Sequence, residues 1–63
     1  MIKCPVCGRY KFVEANDHDI CPYCDWENDR YEMKHPDSAG GANGISLNEA
    51  RKNYAKTGSI YEN

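Results

Sequence analysis

Four cysteines fall in two pairs of one design, Cys4-Pro5-Val6-Cys7 and Cys21-Pro22-Tyr23-Cys24, with thirteen residues between the pairs. A Cys-x-x-Cys turn brings two sulfurs from one short loop to the same point. Two such turns fill a tetrahedral shell for an ion of the zinc type, each sulfur about 2.3 Å from the metal. The intervening stretch is slightly under the usual spacing of about 15–20 residues, so the chain between the pairs must turn back quickly. Pro5 and Pro22 pre-set the backbone after the first cysteine of each pair. Gly8 and Asp25 follow the second cysteine, where positive φ is needed and where Gly and then Asp are the tolerant types.

Length makes such a staple necessary. The chain has 63 residues, one domain at most, and cysteines inflate its 40% hydrophobic content. Below about 70–80 residues a core rarely supplies more than about 3–5 kcal/mol unaided. Met1-Ile2-Lys3 runs straight into Cys4, and no apolar run approaches membrane-spanning length. The expectation is a cytoplasmic protein without a membrane partner, where disulfides seldom persist and a metal is favoured over a disulfide framework.

Charge limits the partners. The net charge is −2, and four thiolates around a dication would take it to about −4. Residues 25–40 hold Asp25, Glu27, Asp29, Glu32 and Asp37 against Arg30 and Lys34. This is not the basic footprint that a phosphate backbone requires.

Local signals divide the single domain, residues 1–63, into three stretches. In 1–26, Tyr10 to Glu14 has strand composition, Ala15-Asn16-Asp17 is a turn signal, and His18 to Ile20 is expected to return antiparallel. The result would be a hairpin with one cysteine knuckle near each end. Residues 27–45 are polar and turn-rich, and a loop without regular structure is expected. Residues 46–57 carry the helix signals. Ser46 and Glu49 have capping-box spacing, and Ile45 and Ala50 that of a hydrophobic staple. Leu47, Ala50 and Tyr54 make a narrow apolar stripe, Arg51, Lys52 and Lys56 favour the C-terminal half, and Gly58 is a left-handed stop. So short a helix must dock on the knuckles to persist.

Other uses of the cysteines fit less well. Cys21-Pro22-Tyr23-Cys24 alone resembles the redox dithiol of glutaredoxins, yet only twenty residues precede it and they hold the other pair, leaving no βαβ context. Cys4-Pro5-Val6-Cys7-Gly8 with Tyr10, Phe12, Tyr23 and Trp26 nearby resembles the iron site of rubredoxins, whose pairs are separated by considerably more chain. Ligand type does not by itself separate iron from zinc.

Several residues have an ordinary reading. Trp26 and Tyr23 are expected to cover the metal and pack on the helix. Asp25, Glu27 and Asp29 read as a solvated acidic loop, since carboxylates without a fixing scaffold do not make an acid–base pair. His18 and His35 read as surface histidines because four cysteines already fill the shell. Gly40-Gly41-Ala42-Asn43-Gly44 lacks the lysine of a phosphate loop and reads as conformational.

Cys4-Pro-Val-Cys-Gly8, then Ile20-Cys-Pro-Tyr-Cys-Asp-Trp-Glu27, then Gly40-Gly-Ala-Asn-Gly-Ile-Ser-Leu-Asn-Glu-Ala-Arg-Lys-Asn-Tyr54 resemble the bacterial cysteine-rich CPCC family over roughly residues 4–58. Val6 departs from the name-giving motif, which has a third cysteine there, and leaves Cys4 and Cys7 as that knuckle's donors. The resemblance implies a small zinc-ribbon-like protein.

These readings converge on a small metal-bound α+β fold of zinc-ribbon or rubredoxin-like type: a β-hairpin with two knuckles, a polar loop and one C-terminal helix. Cys4, Cys7, Cys21 and Cys24 would hold one Zn2+ in a closed shell with no position left to activate water, hence a non-enzymatic module. The acidic loop and exposed tyrosines such as Tyr31 and Tyr61 suit a protein partner. The alternatives are nucleic acid, contacted through Arg51, Lys52 and Lys56 with stacking by Tyr10 or Phe12, and iron-based electron transfer.

Overall fold

The computed structural model describes residues 1–14 and 17–61. Its elements are strands β1 (Ile2–Lys3) and β2 (Lys11–Phe12) and helices α1 (Arg30–Lys34) and α2 (Leu47–Thr57). This is the small α+β architecture expected from the pattern, but the strands pair differently. β2 runs antiparallel to β1, with Ile2 opposite Phe12 and Lys3 opposite Lys11. The expected return strand at His18–Ile20 instead supplies one residue, Ile20, which bridges to Glu27. The turn expected at Ala15-Asn16-Asp17 lies in part outside the described residues.

The correction has a simple physical reason. Each cysteine turn reverses the chain, so the residues flanking that turn become neighbours and pair with each other. β1 and β2 therefore enclose the first knuckle, and Ile20 and Glu27 enclose the second. Pairing across the intervening segment would have required the two knuckles to share one ladder.

Residues 27–45 also depart from a structureless loop. Asp29 takes an extended backbone and caps α1, its Oδ1 accepting from the Tyr31 N–H at 2.9 Å. Its Oδ2 accepts from the Ala42 N–H at 2.7 Å. Glu32, fully buried, accepts at Oε1 from the backbone N–H of Asn43 at 3.1 Å. Gly41 allows this close approach: a Cβ there would lie 2.5 Å from Asp29 Oδ2 and 2.6 Å from Glu32 Oε1. The stretch 40–43 is thus fastened over two buried carboxylates. Asp29 and Glu32 are architectural, while Asp25 is exposed and Glu27 half-buried.

α2 begins and ends where its caps predict. Ser46 Oγ accepts from the Glu49 N–H at 3.0 Å, and Gly58 closes the helix at φ 81° with its N–H on the Tyr54 carbonyl. Leu47 and Ala50 are buried, and Tyr54 and Ile45 pack partly buried against the same cluster. That cluster contains Cys4, Phe12, Cys21, Cys24, Trp26, Leu47, Ala50 and Ile60. Ile60 reaches it because the chain folds back after Gly58, its carbonyl accepting from Asn53 Nδ2 at 2.9 Å. Trp26 packs in the core as expected; Tyr23 does not, and stands 52% exposed with the Arg9 guanidinium 4.8 Å above its ring.

Candidate metal centre

The two knuckles are built to one plan. In the first, the Cys4 N–H donates to the Tyr10 carbonyl at 2.7 Å and the Gly8 N–H to the Cys4 carbonyl at 3.0 Å. In the second, the Cys21 N–H donates to the Trp26 carbonyl and the Asp25 N–H to the Cys21 carbonyl, both at 2.9 Å. Gly8 and Asp25 take φ of 70° and 68°, the left-handed conformation their residue types anticipate.

The turns face each other and bring all four sulfurs within 4.8 Å of one another. The shortest recorded approaches cross between knuckles: Cys7 Sγ to Cys21 Sγ at 3.5 Å, and Cys4 Sγ to Cys24 Sγ at 3.6 Å. Four thiolates about 2.3 Å from a central ion would sit about 3.8 Å apart at the corners of a tetrahedron. The cluster has that size and donor set, so the four cysteines are close enough to hold a metal ion. No disulfide joins them.

Their surroundings differ. Cys4, Cys21 and Cys24 are buried in the core cluster, and Cys7 is half-buried at its edge. Backbone N–H groups point at sulfur: Arg9 N to Cys7 Sγ at 3.5 Å and Tyr23 N to Cys21 Sγ at 3.4 Å. In the metal-free arrangement burial pushes the Cys24 thiol far above the ordinary range. Burial also raises Cys21, over the opposing Tyr23 and Cys24 N–H groups. For Cys7 burial again pushes upward, but the Arg9 N–H and the neighbouring sulfurs outweigh it and the thiol lies below its usual value. Such uneven shifts are what four thiols crowded around one point, with unequal burial, produce.

α2 is tied directly to the first knuckle. Arg51 Nε donates to the Pro5 carbonyl at 2.8 Å. The second knuckle is held from the loop, where the Asn43 side chain accepts from the Glu27 N–H at 2.7 Å and donates to the Glu27 carbonyl at 2.9 Å. Neither partner was foreseen as support for the site. The late Gly-Gly-Ala-Asn and Glu-Ala-Arg segments mark where to look, because their Asn43 and Arg51 are the residues reaching back to the knuckles.

Other residues singled out in the sequence lie elsewhere. His18 is exposed, with Nδ1 3.8 Å from a Glu27 carboxylate oxygen, and His35 is exposed beside the Tyr31 ring, centroids 4.6 Å apart. Neither belongs to the four-sulfur group. Tyr31 and Tyr61 are exposed, as expected. The set suggested for nucleic acid is dispersed: Phe12 is fully buried, Tyr10 bonds Asp19 at 2.8 Å, and Arg51 is engaged with Pro5, leaving Lys52 and Lys56 at the surface. No helix among the described residues is long and apolar enough to cross a membrane.

Fold and site together define a small α+β protein organised around a four-cysteine cluster able to hold a metal ion. The chain belongs to the family described as Cysteine-rich CPCC, whose model matches residues 2–63. No curated protein matches the chain.

Proposed function

We propose that Cys4, Cys7, Cys21 and Cys24 bind one Zn2+ and that the ion serves a non-enzymatic module which recognises another protein in the cytoplasm. The observation that carries the metal reading is the mutual distance of the four sulfurs, all within 4.8 Å, on two knuckles of matching geometry. Zinc suits this donor set because it takes four thiolates without a geometric preference of its own. A filled shell leaves no position for a substrate or an activated water, which supports a structural ion.

A protein partner is supported by the surface. Val13, Ile20 and Tyr23 are 68%, 53% and 52% exposed, and the net charge is −2. Tyrosine is among the side chains enriched at the anchors of protein interfaces, and exposed Val13 and Ile20 add apolar area beside it.

Elemental analysis of protein purified from its own source is expected to give one zinc per chain. Cobalt substitution should give the spectrum of a tetrahedral thiolate centre that added azide leaves unchanged. Iron in the native protein would replace zinc, and a spectral response to the added anion would show an open position. Affinity isolation should recover a protein partner with the metal-loaded form and lose it after chelation. A nuclease-sensitive partner at low salt would overturn the protein reading.

A further inference from the structure

The four sulfurs are not equally covered. Cys4, Cys21 and Cys24 are 2%, 0% and 4% exposed, whereas Cys7 is half-buried and is followed by two exposed residues, Gly8 and Arg9. Across the knuckles its sulfur lies 3.5 Å from that of Cys21, while Cys4 and Cys24, 3.6 Å apart across the knuckles, are both enclosed. A filled tetrahedral shell protects its ion by excluding reagents from every thiolate, and here one corner is open.

We propose that Cys7 is the point at which hydrogen peroxide enters the centre, and that the product is a Cys7–Cys21 disulfide with release of the ion. The proposal rests on the metal reading above. The Cys7 thiolate attacks one peroxide oxygen, so an S–O bond forms, the O–O bond breaks and hydroxide leaves, giving a sulfenic acid. The Cys21 thiolate then attacks that sulfur; the S–S bond forms, the S–O bond breaks and a second hydroxide leaves. Two thiolates lose one electron each, and one peroxide is reduced by two.

Exposure selects Cys7 as the sulfur attacked first, and the Cys21 sulfur across the knuckles is within reach to resolve it. The two sulfurs are already 3.5 Å apart and need only close to the disulfide length of about 2.05 Å. The product takes one donor from each knuckle. Cys4 and Cys24 alone cannot fill a tetrahedral shell, so the ion leaves. Because metal-binding energy in domains of this size is folding energy, oxidation at one exposed sulfur converts a folded chain into an unfolded one.

The test uses the intact, zinc-loaded protein, with metal content measured first. Limiting N-ethylmaleimide is expected to label Cys7 about tenfold or more faster than the other cysteines, following access to the thiolate. One equivalent of hydrogen peroxide is then added, remaining thiols are alkylated and the protein is digested with trypsin without reduction. Cleavage after Lys3, Arg9, Lys11 and Arg30 leaves Cys4 and Cys7 on peptide 4–9 and Cys21 and Cys24 on peptide 12–30. A cross-knuckle disulfide joins these peptides and a within-knuckle one leaves them apart. The expected product is the joined pair with alkylated Cys4 and Cys24, and one zinc released to a chromogenic chelator per disulfide. Equal labelling of all four cysteines, a within-knuckle disulfide, or a Cys4–Cys24 bridge would overturn the proposal. Absence of zinc at the outset would overturn the metal reading as well, and the first measurement distinguishes that failure from the others.

Discussion

Two residues in corresponding places, Gly8 and Asp25, hold φ near 70° at the ends of their knuckles, and each sends its N–H back to the first cysteine carbonyl. A Cβ on Gly8 would meet only Lys3 Cδ, at an ordinary 3.6 Å. Gly8→Ala therefore tests the backbone alone, and a loss of about 1–2 kcal/mol is expected from the left-handed conformation. Gly8→Asp should cost less, since Asp25 already occupies the matching position. Thermal melts of the metal-loaded variants decide the order, and an alanine no worse than aspartate would contradict it. Gly41 makes the opposite case. There a methyl group would collide with the Glu32 side chain and lie 2.5 Å from Asp29 Oδ2, so strain comes from packing. Gly41→Ala is expected to cost about 1–3 kcal/mol or more, read from the same melts.

At the scale of elements, α2 was legible because its signals are local. Ser46, Leu47, Ala50 and Gly58 lie within one short stretch, and the cap and apolar stripe form as written there. Ser46→Ala should cost about 1 kcal/mol through the lost bond to the Glu49 N–H, measurable by denaturant titration. The elements that escaped reading are those whose bonds close over distance. α1 has only five residues, and its cap Asp29 gives its second oxygen to Ala42, thirteen positions away. β1 and β2 have two residues each, too few for any periodicity. Ile60 enters the core only because Asn53 holds its carbonyl. That the four cysteines gather at one point was plain from spacing, while the contacts Asn43 and Arg51 make to the knuckles were not. Asn43 pairs with both backbone groups of Glu27 as a neighbouring strand would and also approaches Glu32 Oε1 at 3.4 Å. Asn43→Ala should cost about 1–3 kcal/mol for the polar groups left unpaired. Asn43→Asp should cost more, because it turns an anion toward the Glu27 carbonyl and the Glu32 carboxylate. If aspartate is tolerated better than alanine in equilibrium unfolding, this arrangement of the amide is wrong.

For the whole molecule, three of the eight residues in the buried cluster are cysteines. The principal extents are 29, 23 and 12 Å, so the body is thin and a second apolar layer has no room. On the proposed metal reading an ion would supply what a larger core would, and protons would compete with it for the same sulfurs. In the metal-free arrangement the Cys24 and Cys21 thiols are pushed up, chiefly by burial. Their raised values favour the metal-free fold below the ordinary thiol range, and that contribution is lost as pH climbs through the folded values. The metal-bound fold has the opposite sign. It requires thiolates, so binding must expel those protons, and affinity falls as the solution is acidified. Calorimetry of zinc binding in two buffers of different ionisation enthalpy is expected to show at least two protons released per ion near pH 7. The apparent dissociation constant should weaken steadily toward pH 5. Excess chelator at neutral pH should abolish the cooperative melt, as should Cys→Ser at position 4, 7, 21 or 24. Binding without proton release, or a melt unchanged by chelator, would mean that the fold stands without the ion and that the sulfurs meet for another reason.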